Sequence, residues 1–328
     1  MRASNDCYSN FKFLFGFKKK AVVSCPVIRF GKQLWPVSSV NMPVFTDFAI
    51  PLEKKNDILY TYFQECFMYN ILNLSVTSAV LFALPLVVSV IWKKKFKSKV
   101  SLRYFFLGTV GFIVSARVLE LAVHYFCIIQ DNAVSRFINS NTAAFVIYGI
   151  LMAGIFEEVG RYLIMIFFLK DNRTEINAIT YGLGHGGIEV WIISLAATVT
   201  YLSVSIALRA GLPASDFDNT PGFETVLDTI TNFTAFTGFL WVLERVVCMV
   251  LHVLFTLNVF YSVVYKKISL LFFAIASHAV VDIGAALYQR KVFPLVACEV
   301  WLLAGCAALA FATLYIRKRL AVTAQKQN

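Results

Sequence analysis

Charge is scarce in this chain. Asp, Glu, Lys and Arg make up 15% of its 328 residues and 59% are hydrophobic, whereas soluble domains carry about a quarter charged residues. Such a composition cannot cover a water-facing surface, which excludes the soluble classes and points to a polytopic membrane protein. Paired cysteine is missing too. The seven cysteines include no C-x-x-C pair and no framework spacing, so Cys127, Cys248, Cys298 and Cys306 read as buried small hydrophobes rather than disulfides or metal thiolates. Residues 1–68 lack an apolar run followed by a small-residue cleavage site, so no signal peptide is read there. Histidine is rarest, four in all, and no two share a helix at the spacing of H-E-x-x-H.

What is present is a series of apolar runs. The sequence predicts an all-α bundle of seven spans, at about 70–92, 102–128, 142–169, 178–208, 232–264, 268–288 and 292–316. They form a transmembrane domain over 69–320, between an N-terminal tail (1–68) and a short C-terminal tail (321–328). The net charge of +11 would suggest nucleic acid in a soluble protein. Here most Lys and Arg sit in short loops, so the expected partners are membrane lipid and no nucleic acid. The loops after spans one, three, five and seven hold about 14 of them and the opposite loops about four. The positive-inside rule therefore puts the C-terminus in the cytosol, and in a bacterium the plasma membrane is the expected site. The basic tail runs against this assignment, and an eighth embedded element within 45–68 would move it to the cytosol.

The run at 148–170, YGILMAGIFEEVGRYLIMIFFLK, carries Glu157, Glu158 and Arg161 near its middle. Ionisable groups in hydrocarbon cost roughly 2.5–3.5 kcal/mol each on insertion scales, so a mere anchor would not hold three. The spacings i,i+4 and i,i+3 let the guanidinium reach either carboxylate. Other spans carry His185 with Glu189, Arg245 with His252 beside Glu244, and His278 with Asp282, each set on one helical face. Counted from the basic ends, Glu157, Glu158, His185, Glu189, His252, His278 and Asp282 fall in one slab roughly 10–20 Å deep. Convergence on one interior site follows, because such groups must face the bundle or a watery cavity. Gly182, Gly184, Gly186 and Gly187 flank His185 and would admit a close helix or an extended substrate backbone. Arg117, Glu120 and His124 share a face and read as a structural network nearer the outer side. Glu299 reads as a lone packing group.

The order E-E-x-x-R, G-x-G-H-G-G-x-E, R-x6-H and H-x-x-x-D, over about 70–316, resembles the YhfC family of intramembrane peptidases. That family is similar to the PrsW peptidases, which have E-E-x-x-K, and to the CAAX-protease and bacteriocin-processing group, with E-E-x-x-x-R. The first motif departs from that group by one residue, at Arg161. The resemblance implies hydrolysis of a peptide bond in a membrane-embedded or lipidated protein, near the cytosolic face. By motif, Glu157 would be the general base, with His185 helping to hold the water. His278 and Asp282 would polarise the scissile carbonyl. Glu158 with Arg161 would be support, and Glu189, Arg245 and His252 further polar positions of the family pattern.

Read from the residues alone, a zinc site competes, with His185, His252 and His278 as ligands. Metal-independent glutamate chemistry, with no cofactor, is the preferred expectation on the strength of the resemblance. Two further classes of function compete with hydrolysis, a non-catalytic membrane scaffold and a proton-coupled transporter. The transporter reading would show repeat symmetry between halves, and none is visible.

Overall fold

The computed structural model describes residues 52–212, 220 and 222–325. The expected tail up to residue 51 lies outside the described residues. Among those described, the chain is helical with no strand. The helices are α1 (Leu52–Phe96), α2 (Leu102–Ile129), a short α3 (Ala133–Ser140) and α4 (Thr142–Phe167). After them come α5 (Glu175–Arg209), a short α6 (Phe223–Thr231), α7 (Ala235–Val264), α8 (Ile268–Gln289) and α9 (Leu295–Gln325).

Seven of these are long and apolar enough to cross a bilayer, so the chain is an all-α polytopic bundle. α1 begins at Leu52, which makes residues 52–67 a continuation of the first helix rather than a separate element.

Three of the spans begin where a polar side chain satisfies one of the first free N–H groups. Asn141, Thr174 and Thr234 accept hydrogen bonds from Ala144, Asn177 and Thr237 at the starts of α4, α5 and α7. Large hydrophobes such as Phe82, Phe106, Phe272 and Phe311 point outward, as lipid solvent permits.

α7 is the most interior span, with 61% of its most apolar window buried against 17% for α2, α4 and α5. Glycine lets the helices around it touch backbone to backbone. A Cβ at Gly182 would lie 2.7 Å from Val253 Cα on α7, and one at Gly184 would strike the Phe105 carbonyl on α2. On the other side of the bundle, a Cβ at Gly154 of α4 would lie 2.9 Å from the Ile275 carbonyl of α8. The glycines around His185 thus serve a close three-helix crossing, in a regular helical stretch that runs to Glu189 before turning π-helical over Val190–Leu195. Three spans are thereby held close enough for side chains of ordinary length to meet.

Candidate active site

At mid-bundle, four helices bring their ionisable groups together. On α4, successive residues divide the work. Glu157 faces a cavity, while Glu158 lies behind it with no exposed surface. The planar guanidinium of Arg161, one turn on, pairs with both, through Nη1 to Glu158 and through Nη2 to Glu157 Oε2 at 3.0 Å. α5 contributes His185, whose Nε2 sits 2.9 Å from Glu157 Oε2. From α7, His252 directs Nδ1 at Arg161 Nη2, 2.6 Å away, and at Glu157 Oε2, 3.8 Å away. Its other nitrogen, Nε2, pairs with Glu189. α8 adds His278, with Nδ1 2.7 Å from Glu158 Oε1 and Nε2 3.4 Å from Asp282 Oδ2.

These contacts orient each ring. An arginine N–H can only donate, so His252 Nδ1 accepts and Nε2 carries the hydrogen given to Glu189. Phe255 stacks face to face on His278 with centroids 4.4 Å apart, and Arg161 lies over the same phenyl ring. Arg245 reaches Glu189 Oε1 at 3.1 Å and also pairs with Glu244. Glu157 and Glu158 thus share Arg161, and Glu189 and Glu244 share Arg245, the pairing that burial of charge demands.

The cavity that Glu157 faces has a volume of about 840 Å³, within the range of ligand sites. Glu157, His252, His278 and Asp282 line its inner end. Its other lining residues lie along the helices toward Ile129, Gln289 and Leu295, at the helix ends away from the basic loops. The cavity therefore extends from the cluster toward the helix ends away from the basic loops, while the close glycine crossings hold α5 against α2 and α7. Among the described residues, all three π-helical stretches, two in α2 and one in α5, contribute lining residues such as Glu120, Ile129 and Ile193. Glu120 and His124 approach within 3.3 Å, and His124 Nδ1 is 2.7 Å from Tyr148 Oη. Arg117 lines the same wall. Glu299 is buried with neither carboxylate oxygen bonded.

The structure thus brings together Glu157, Glu158, Arg161, His185, Glu189, Arg245, His252, His278 and Asp282, the nine residues assigned to the site from the sequence. It divides them by access. Glu189, Arg245, His252, His278, Asp282 and Glu157 line the cavity, whereas His185, Glu158 and Arg161 stand behind. Sequence reasoning missed Phe255 and the bond from Arg161 to His252. Phe255 lies three residues after His252, so helical spacing alone was a usable signal.

The donor atoms of this cluster suit a metal ion. Glu157, His185 and His252 each offer one ligand atom, all within 4.8 Å of one another and all buried. Two imidazoles and a carboxylate are a three-ligand set of catalytic type, and Glu189 on the far nitrogen of His252 is the outer carboxylate such ligands carry. The residues fit. His278, expected as a third imidazole ligand, instead spans Glu158 and Asp282 and stands outside this trio, because Phe255 and Glu158 hold its ring on the α4–α8 side.

Residues 80–303 match the family described as YhfC intramembrane metalloprotease. The chain is 31% identical over 239 residues to the uncharacterized membrane protein YhfC of Bacillus subtilis (strain 168), an alignment covering 72% of this chain and 92% of that protein. No solved structure matches.

Proposed function

Because this chain belongs to the YhfC family, we propose that it is an intramembrane endopeptidase that hydrolyses a peptide bond of a membrane-embedded or lipidated protein at the inner end of the cavity. One observation carries the reading. Carboxylates and imidazoles from four spans converge around Glu157 on the floor of a cavity inside the bundle. Hydrolysis requires a water to attack the carbonyl carbon, a donor for the developing oxyanion and a proton for the departing amine.

Two routes to the activated water fit these residues, and the metal-assisted one is preferred. A divalent metal held by Glu157, His185 and His252 would lower the pKa of a bound water toward neutrality. In this route Glu189 fixes the tautomer of His252, so that its Nδ1 lone pair faces the other two donors. The second route is favoured by the 2.9 Å contact between Glu157 and His185. There Glu157 takes the proton from water as general base, and His185 positions it. On either route His278, held by Glu158 and flanked by Asp282, presents Nε2 at the cavity wall as the donor for the oxyanion. Asp282 acts on the ring it faces rather than on substrate. The family's description as metalloproteases supports the metal-assisted route.

The test is cleavage of a panel of transmembrane and prenylated peptides in liposomes by wild type, Glu157→Gln and His278→Ala, with and without a chelator. The expected result is loss of about 10²–10⁴-fold in either variant, and loss on chelation that added Zn²⁺ restores. Chelator-resistant cleavage would favour the glutamate route. Undiminished cleavage by Glu157→Gln would remove both.

A further inference from the structure

The atoms that would hold a metal already have an occupant. His252 Nδ1 has a single lone pair, and Arg161 Nη2 donates to it at 2.6 Å. The same nitrogen of Arg161 lies 3.0 Å from Glu157 Oε2, the carboxylate oxygen that also faces His185. A metal bound through His252 Nδ1 and this arginine contact are mutually exclusive, because one lone pair serves one partner. Both occupants are cations, so exchanging one for the other leaves Glu157 neutralised throughout, as a site away from water requires.

The structure also holds somewhere for the arginine to go. Nη1 stays anchored on Glu158, on the side away from the cavity. Arg161 Nε and Tyr181 Oη are both buried with no hydrogen-bond partner, and the phenol hydroxyl lies against Gly111 where Ile164, three residues after Arg161 on α4, also packs. Buried orphans of this kind call for an explanation. A guanidinium turned away from the trio would bring this donor toward this acceptor.

We propose that Arg161 is a built-in cation that holds the trio when metal is absent and gates metal loading, releasing Glu157 and His252 by turning toward Tyr181 while Glu158 keeps hold of it. The proposal rests on the metal-assisted reading above, and it makes Arg161 a positioning residue rather than a ligand or a base. It also explains why one arginine serves two adjacent glutamates. Glu158 is its permanent partner, and Glu157 is the one it gives up.

Its test is Co²⁺ binding to the full-length protein in detergent, followed by d–d absorption and by metal content. Wild type binds one Co²⁺, and Glu157→Gln and His252→Ala bind none. Arg161→Gln binds about 10–100-fold more tightly than wild type, the range by which neighbours of ligands tune metal affinity, whereas Tyr181→Phe binds more weakly. Arg161→Gln leaves Glu158 buried without its cation, so Glu158→Gln/Arg161→Gln, which removes both charges, is measured beside it and shows the same tightening. Unchanged or weaker binding in the arginine variants, or no Co²⁺ bound by any form, overturns the proposal. Peptide cleavage and its dependence on Glu157 are read separately, so a failure of the gate is distinct from a failure of the hydrolase reading.

Discussion

Adjacent glutamates in one span look redundant until their partners are compared. Glu158 is fully buried and joined to Arg161 and His278, while Glu157 keeps a face on the cavity. Removing one member of a buried pair leaves an uncompensated charge and costs about 3–5 kcal/mol. Glu158→Ala, which takes a fully buried partner from both Arg161 and His278, is therefore expected to reduce the folded fraction in detergent and lower the apparent Tm. Asp282→Asn is expected to leave the Tm close to wild type, because its side chain is one-third exposed. A thermal melt read by size-exclusion chromatography checks both. Equal effects would contradict the division between support and site. The candidate residues were legible in the sequence because ionisable groups inside apolar runs are conspicuous. Which nitrogen faces which oxygen was not, and neither was the replacement of His278 by Glu157 in the trio. Helical spacing reports on one helix, whereas these are contacts between helices.

Among the helices, α5 is the element that fixes the site. Its glycines allow α2 and α7 to approach until His185 and His252 rings stand 4.9 Å apart. Overpacking a tight interface costs about 1–3 kcal/mol. Gly184→Ala puts a methyl group against the Phe105 backbone and is expected to destabilise by that order. Gly149→Ala on α4 meets nothing within 4 Å and is expected to be neutral or slightly stabilising, since alanine is the better helix former. Comparing the two melts isolates the crossing from the generic effect of losing a glycine. The seven spans matched their expected places closely because hydropathy and polar caps are local signals. The start of α1 at Leu52 was not legible. Residues 52–67 carry too many polar groups to register as part of an apolar run, yet they continue the same helix.

For the whole molecule, the route into the site matters most. The cavity runs from the cluster of ionisable residues toward the helix ends opposite the basic loops. In a cysteine-free background, Ser194→Cys on the cavity wall is expected to react with a membrane-impermeant thiol reagent added on that side and not from the side of residues 93–99. Labelling only from the basic side would contradict the direction of access. The cavity could not be read from sequence, because a void is a property of how helices diverge rather than of any one helix. The proposed function rests on Glu157 as the residue that drives peptide-bond hydrolysis. Mass spectrometry of protein termini bears on this without any assumed substrate, in membranes from cells expressing wild type or Glu157→Gln at equal abundance. New termini within or beside transmembrane segments are expected with wild type and are absent with the variant. Identical sets of termini in the two membranes would contradict the role given to Glu157.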